Sequence, residues 1–265
     1  MSIKLSSIID KLNQIAPKEL AEAWDNVGLL VGDKEANINK VLVALDATDL
    51  VIEEAISKDV DLIITHHPVI FKGIKQINTQ SVVGNKVIKL ITNNISLFSA
   101  HTNLDSAKEG ISTILADRLQ LKDYNVLAPS NCTSECNCGI GRIGYIDKIL
   151  LNDLCKFVKS SFGLNNIRVV GDLNKIITKV AVSPGSSMEY ADIAYKQGAD
   201  VFITGDIKYH DAQDYKEKGM ALIDAGHFGT EHIIVQELIE KLQKWFGNNI
   251  EIINAKSDVD PFIIV

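Results

Sequence analysis

The sequence predicts an α/β protein made of two related α/β lobes with mixed, mainly parallel sheets. Three observations carry that expectation. A strand–helix–strand pattern runs over residues 40–65, a second copy runs over 179–204, and the composition is ordinary for a globular chain, with 46% hydrophobic and 23% charged residues. The two copies align without a gap: Lys40 falls on Lys179, Asp61 on Asp200 and Thr65 on Thr204, each pair 139 positions apart. A fixed offset of this kind marks an internal duplication.

The elements follow in order. Leu5, Ile8, Ile9, Leu12 and Ile15 recur at helical spacing, so the chain opens on an amphipathic helix. After a loop holding Trp24, Asp25 and Asn26 comes an apolar run, 27–32. VLVALD at 41–46 reads as a buried strand, DLVIEEAISK at 49–58 as a helix and DLIIT at 61–65 as a second strand. Strands so joined lie parallel with a right-handed crossover. A helix over 85–92, a strand over 95–100 and a helix over 106–121 complete the first lobe, with Ser106 and Glu109 spaced as a capping box. KVAVSPGSS, EYADIAYKQG and ADVFITGD then repeat the unit, and LIDAGH at 222–227 echoes LFSAH at 97–101. The boundary is placed in the polar, loop-like stretch 125–139. The lobes are then 1–126 and 127–227, with 228–265 returning to the first, although the terminal strand has the composition to join either.

Several function classes are set aside. No apolar run reaches the roughly 18 residues of a membrane span, and the N-terminus lacks the apolar core and cleavage site of a secretory signal. A cytoplasmic location is expected. A net charge of −7 and a pI near 5.4 disfavour a general nucleic-acid surface. Cys132, Cys136 and Cys138 form a C-x3-C-x-C cluster that matches no zinc-finger spacing. A reduced loop is the plainer reading, with soft-metal binding or reversible oxidation as alternatives.

The chemistry gathers at strand ends, where ligands bind in α/β sheets. His66 and His67 follow DLIIT directly, and two imidazoles in succession there favour metal ligation over a structural role. Asp105 lies just past the next strand; it would cap a helix if Ser106 and Glu109 did not. In GHFGTEH, His227 and Glu231 stand four apart, on one face of a helix beginning near His227, a face continued by Ile234, Leu238 and Leu242. Burying both without partners would cost several kcal/mol. A partly exposed helix start is the plain alternative. The expected ligands are therefore His66, His67, Asp105, His227 and Glu231, for two divalent ions of zinc, iron or manganese. His101 is placed as a neighbour of the ligands or a substrate contact, and with His210 as an acid/base candidate. GIGRIG at 139–144 matches G-x-G-x-x-G, but a polar loop precedes it and it is itself strand-like, so a dinucleotide site is rejected.

AWDNVGLLVGD at 23–33, DLIITHHPVIFKGIK at 61–75, AHTNLD at 100–105, ITGDIKYHDAQD at 203–214, DAGHFGTEH at 224–232 and DPF at 260–262 together resemble the Nif-three-like family, often labelled GTP cyclohydrolase I type 2 homologues. The resemblance covers nearly the whole chain. It implies a dinuclear metal centre on the same five residues and a toroidal homohexamer. It also implies a metal-dependent hydrolase acting on a nucleotide or phosphoester. SPGSS at 183–187 departs from the family's glycine-rich turn. A non-catalytic metal-handling or regulatory protein is the alternative function.

Overall fold

The computed structural model describes residues 2–130 and 137–264. The chain divides into two compact units, residues 1–104 with 234–265, and residues 105–233. The division falls at 104/105, whereas composition suggests a boundary near 126.

In the first unit, β1 (Ile3–Lys4) runs into α1 (Leu5–Ile15), whose Leu5, Ile8 and Leu12 are buried. Its main sheet contains β2 (Gly28–Val31), β4 (Lys40–Ala44), β5 (Leu62–Thr65), β6 (Ser96–Ser99) and the C-terminal strand Glu251–Asn254. The short β3 (Asn37–Ile38) pairs antiparallel with β1. The order is C-terminal strand, β4, β5, β6, β2, with every pair parallel except β6–β2. Two helices, α2 (Asp49–Ser57) and α3 (Val82–Thr92), are capped by Thr48 and Ser81, whose hydroxyls accept from Val51 N and Gly84 N. Leu42, Val51, Ile52, Ile63, Leu90 and Leu97 form the core around them, each side chain contributing about 1.5–3 kcal/mol by burial. Then α4 (Thr102–Ser106) leads out of the unit.

The second unit starts with α5 (Ile111–Arg118), β7 (Lys122–Pro129), β8 (Gly139–Leu150) and α6 (Leu151–Phe162). It continues through β9 (Arg168–Val170), β10 (Ile176–Val182), α7 (Ala191–Lys196), β11 (Val201–Thr204), α8 (Tyr209–Lys218), β12 (Ala221–Asp224) and α9 (His227–Glu231). Its sheet order is β7-β8-β10-β11-β12-β9, with β10–β11 and β11–β12 parallel and the other pairs antiparallel. Both main sheets are thus mixed, as expected for this α/β fold.

The duplication holds down to single hydrogen bonds. Val41 pairs with Leu62 and Val180 with Val201, the same register 139 positions apart. Asp61 Oδ2 accepts the amides of Asn39 and Lys40; Asp200 Oδ2 accepts those of Thr178 and Lys179. Lys40 Nζ donates to the Lys58 carbonyl as Lys179 Nζ does to that of Gln197. The units differ after their second parallel strand: α3 starts 17 residues after Thr65, while α8 starts five after Thr204.

Three local expectations change. Residues 106–121 are not one helix, because Gly110 closes a turn onto the Ala107 carbonyl and itself precedes α5. No Ser106–Glu109 capping box starts α5. Within the stretch expected as loop, 125–129 belong to β7 and pair with β8. GIGRIG lies inside β8, so the rejected dinucleotide turn is a strand. Its Arg142 is fully buried: the guanidinium donates to the carbonyls of Gly139, Gly141 and Ala107 and to Thr113 Oγ1. Burial lowers its pKa to about 10, which leaves it charged near neutrality. Cys132 and Cys136 lie outside the described residues, and Cys138 is disulfide-bonded. Among the described residues no helix is long and apolar enough to cross a membrane.

Candidate metal centre

His66 and His67 leave the end of β5 at the turn where the strand stops. Thr65 Oγ1 donates to the His67 carbonyl at 2.8 Å and the His67 amide donates to the Leu45 carbonyl at 3.0 Å. That bracing splays the two rings, with centroids 4.9 Å apart and planes at 49°. His66 Nδ1 lies 2.8 Å from the Ala100 carbonyl oxygen. A carbonyl can only accept, so the proton is on Nδ1 and the lone pair is on Nε2. His67 Nδ1 meets Asp46 Oδ1 at 3.0 Å, and His101 Nδ1 meets Asp25 Oδ1 at 2.9 Å, fixing the same tautomer.

Asp25 is built for that task. Its carboxylate also accepts the Thr102 hydroxyl and the amides of Thr102 and Asn26. Burial pushes its pKa up. The hydrogen bonds from the His101 ring, the Thr102 hydroxyl and the Asn26 amide more than reverse this, bringing it down to about 2. Asp25 is therefore an ionised, oriented acceptor. His66, His67 and His101 each offer a ring nitrogen, all within 4.8 Å of one another.

The second unit carries a matching pair. Gly226, at φ 79°, lets the chain turn from β12 into α9. His227 Nε2 lies 3.0 Å from Glu231 Oε2, and His227 Nδ1 lies 2.8 Å from Asp206 Oδ2. Glu231 is buried; His227 is partly open. Gly185, at φ 55°, backs directly onto this pair. A Cβ there would collide with Glu231 Oε1 and come within 3.2 Å of His227 Nε2. The Gly185 amide donates to Thr230 Oγ1 at 2.9 Å, pinning the SPGSS turn to α9.

Asp105 is buried on α4. His210 is exposed in the first turn of α8, with its ring against Tyr209. His232 stacks on Phe228 at 4.4 Å. The orienting carboxylates Asp25, Asp46 and Asp206 went unread in the sequence; His101, expected beside the ligands, also stands close enough to His66 and His67 to join their donor group. A signal existed for His101. His101-x3-Asp105 and His227-x3-Glu231 each follow the third parallel strand of a repeat, and each enters a five-residue helix.

The donor set fits divalent metal. Each of four imidazoles has Nδ1 engaged by a carbonyl or carboxylate, the arrangement that orients histidine ligands and raises the basicity of Nε2. Imidazole with carboxylate suits zinc, iron or manganese alike.

The chain has relatives of known sequence and known structure. A family model described as Duf34/NIF3 (NGG1p interacting factor 3) matches residues 3–261. A Clostridium perfringens protein named GTP cyclohydrolase 1 type 2 homolog is 42% identical over 261 residues, covering 98% of this chain and 99% of its own. Among solved structures, Staphylococcus aureus protein SA1388 superposes with a TM-score of 0.89 at 32% identity, covering 99% of both chains. A Bacillus cereus protein related to NIF3 gives 0.91 at 27% identity, covering 100% of this chain and 99% of its own.

Proposed function

Since this chain belongs to the Duf34/NIF3 family, we propose that it is a metal-dependent hydrolase whose five ligands His66, His67, Asp105, His227 and Glu231 hold two divalent ions. Its substrate is a nucleotide or other phosphoester, and it works in the cytoplasm as a homohexamer. The observation that carries the reading is the common tautomer. His66, His67 and His227 each have Nδ1 tied to a carbonyl or carboxylate, which puts the lone pair on Nε2. The names of the relatives, GTP cyclohydrolase 1 type 2 homologs, support a nucleotide-directed activity. When bound, such ions supply Lewis acidity near neutral pH.

The chain's own groups do the rest. Asp46 and Asp206 orient His67 and His227. Gly185 leaves room for the Glu231 carboxylate. His101, held at Nδ1 by Asp25, presents Nε2 as the atom that orients substrate or exchanges a proton with it. His210, exposed on α8, is the second acid/base candidate.

The test is a turnover screen of purified, metal-loaded protein against nucleotides and phosphodiesters, with His66→Ala alongside. Activity in the wild type that disappears in the variant is expected. Equal activity in both would assign the turnover to a contaminant and end the hydrolase reading.

A further inference from the structure

Two large aromatic rings stand in water beside the imidazoles of the first unit. Trp24 is 61% exposed and Phe71 is 48% exposed. Both rings meet the same imidazole, His101, edge to face: Trp24 at 5.9 Å and 71°, Phe71 at 5.6 Å and 87°. Neither position is an accident of a floppy loop. Asp25, next to Trp24, holds His101, and the Asn26 side chain donates to the Ile70 carbonyl at 2.6 Å. One short segment thereby fixes the indole, the imidazole and the backbone that carries Phe71.

Phe71 sits in a segment, 66–81, with neither helix nor strand. Its counterpart in the second unit is reduced to four residues between Thr204 and Tyr209. The fold closes without the extra length, and long irregular connections in compact domains are commonly functional. That segment also carries Lys72 and Lys75, which make no ion pair or hydrogen bond among the described residues. Lys58, Lys89, Lys122 and Lys218, by contrast, each pair with a carboxylate. In a chain of net charge −7, two unengaged cations one and four residues after Phe71 complement an anion that has a flat apolar part.

We infer that Trp24 and Phe71 wall a subsite at His101 for a planar heteroaromatic ring bearing a phosphate, with Lys72 and Lys75 drawing the phosphate. The inference rests on the proposed function, since it names the ring-bearing substrate class of that site. Trp24 and Phe71 select the ring; they take no part in bond breaking. Stacking of a base on an aromatic side chain is worth about 1–3 kcal/mol, or roughly 5- to 150-fold in affinity.

The probes are adenosine 5′-monophosphate and, as a control without a base, ribose 5-phosphate. Both are titrated calorimetrically into the wild type and the variants Trp24→Ala, Trp24→Phe, Phe71→Ala and Lys72→Ala/Lys75→Ala. Metal content is measured on the same samples. Adenosine monophosphate should bind the wild type about tenfold or more tightly than ribose 5-phosphate. Trp24→Ala and Phe71→Ala should each erase most of that preference, and Trp24→Phe should keep it. The lysine pair should weaken both probes together. Equal binding of the two probes by the wild type, or full preference in Trp24→Ala, overturns the inference. So does an indole already shielded from iodide quenching in the wild type, because a second copy of the chain then covers the wall. A ring preference in a protein that holds no metal would sink the proposed function and leave this subsite standing. Bound metal without a ring preference does the reverse.

Discussion

Replacing Gly185 by alanine isolates the contact between the SPGSS turn and the His227–Glu231 pair. Gly185 has φ 55°, a left-handed conformation that costs a residue with a Cβ about 1 kcal/mol. The added carbon would also overlap Glu231 Oε1 and sit 3.0 Å from Glu231 Cδ. Since Glu231 is buried, its side chain must leave its rotamer at a further cost of about 1–3 kcal/mol. Gly163 supplies the control: it has φ 70° with nothing within 4 Å of an added methyl carbon, so Gly163→Ala bears the backbone cost alone. At about 2–4 °C per kcal/mol for a chain of this size, Gly163→Ala should lower the melting temperature by about 2–4 °C and Gly185→Ala by roughly 5–10 °C. Only Gly185→Ala should weaken metal binding, by about tenfold or more, because it alone displaces Glu231, one of the proposed ligands. Thermal melts of the metal-free protein and titration with zinc read out the two effects. Equal melting shifts and equal zinc affinities for the two variants would refute the reasoning.

Other expectations are equally direct. Asp206→Asn, which keeps the shape at His227 Nδ1 but removes the charge, should reduce metal affinity about 10- to 100-fold with little change in circular dichroism. Arg142→Met strands the carbonyls of Gly139, Gly141 and Ala107 and should cost about 3 kcal/mol or more in urea unfolding. Glu54 governs acid stability at the C-terminal segment. Burial pushes its pKa up, but bonds from Lys58, from the Ser257 side chain and from the amides of Ser257 and Lys256 bring it from an ordinary 4.5 down to about 2. A lowered folded-state value means the contribution is complete above about pH 4.5 and is lost as pH falls towards 2. Linkage puts it near 3 kcal/mol at most, and partial contact with solvent trims it to about 1–2. Glu54→Gln should therefore be less stable than wild type at pH 6 and close to it at pH 2.5.

Much of this molecule could be read from local pattern. The 139-residue offset forecast two parallel strand–helix–strand units, and the recurring Asp61 and Asp200 accept the equivalent backbone amides in each. His227 and Glu231 were legible because a helix fixes the spacing of neighbours four apart. What stayed hidden depends on contacts distant in sequence. Asp25 meets His101 across 76 positions, and His66 finds the Ala100 carbonyl only because β5 and β6 pair Thr65 with Ser99. β7 was missed for another reason. It is a largely exposed edge strand without apolar alternation, so composition alone made it look like loop. The expected helix over 106–121 is shortened to α5, which starts only after Gly110, and the five-residue α4 ahead of it, which carries Asp105, gave no sequence signal of its own.

Whether these imidazoles and carboxylates bind metal is measured most directly by anaerobic purification followed by elemental analysis, on the wild type and on His66→Ala and His227→Ala. Two divalent ions per wild-type chain are expected, with a clear loss in each variant. A wild-type protein that emerges metal-free and takes up no zinc, iron or manganese on reconstitution would contradict this, as would variants that hold as much metal as the parent.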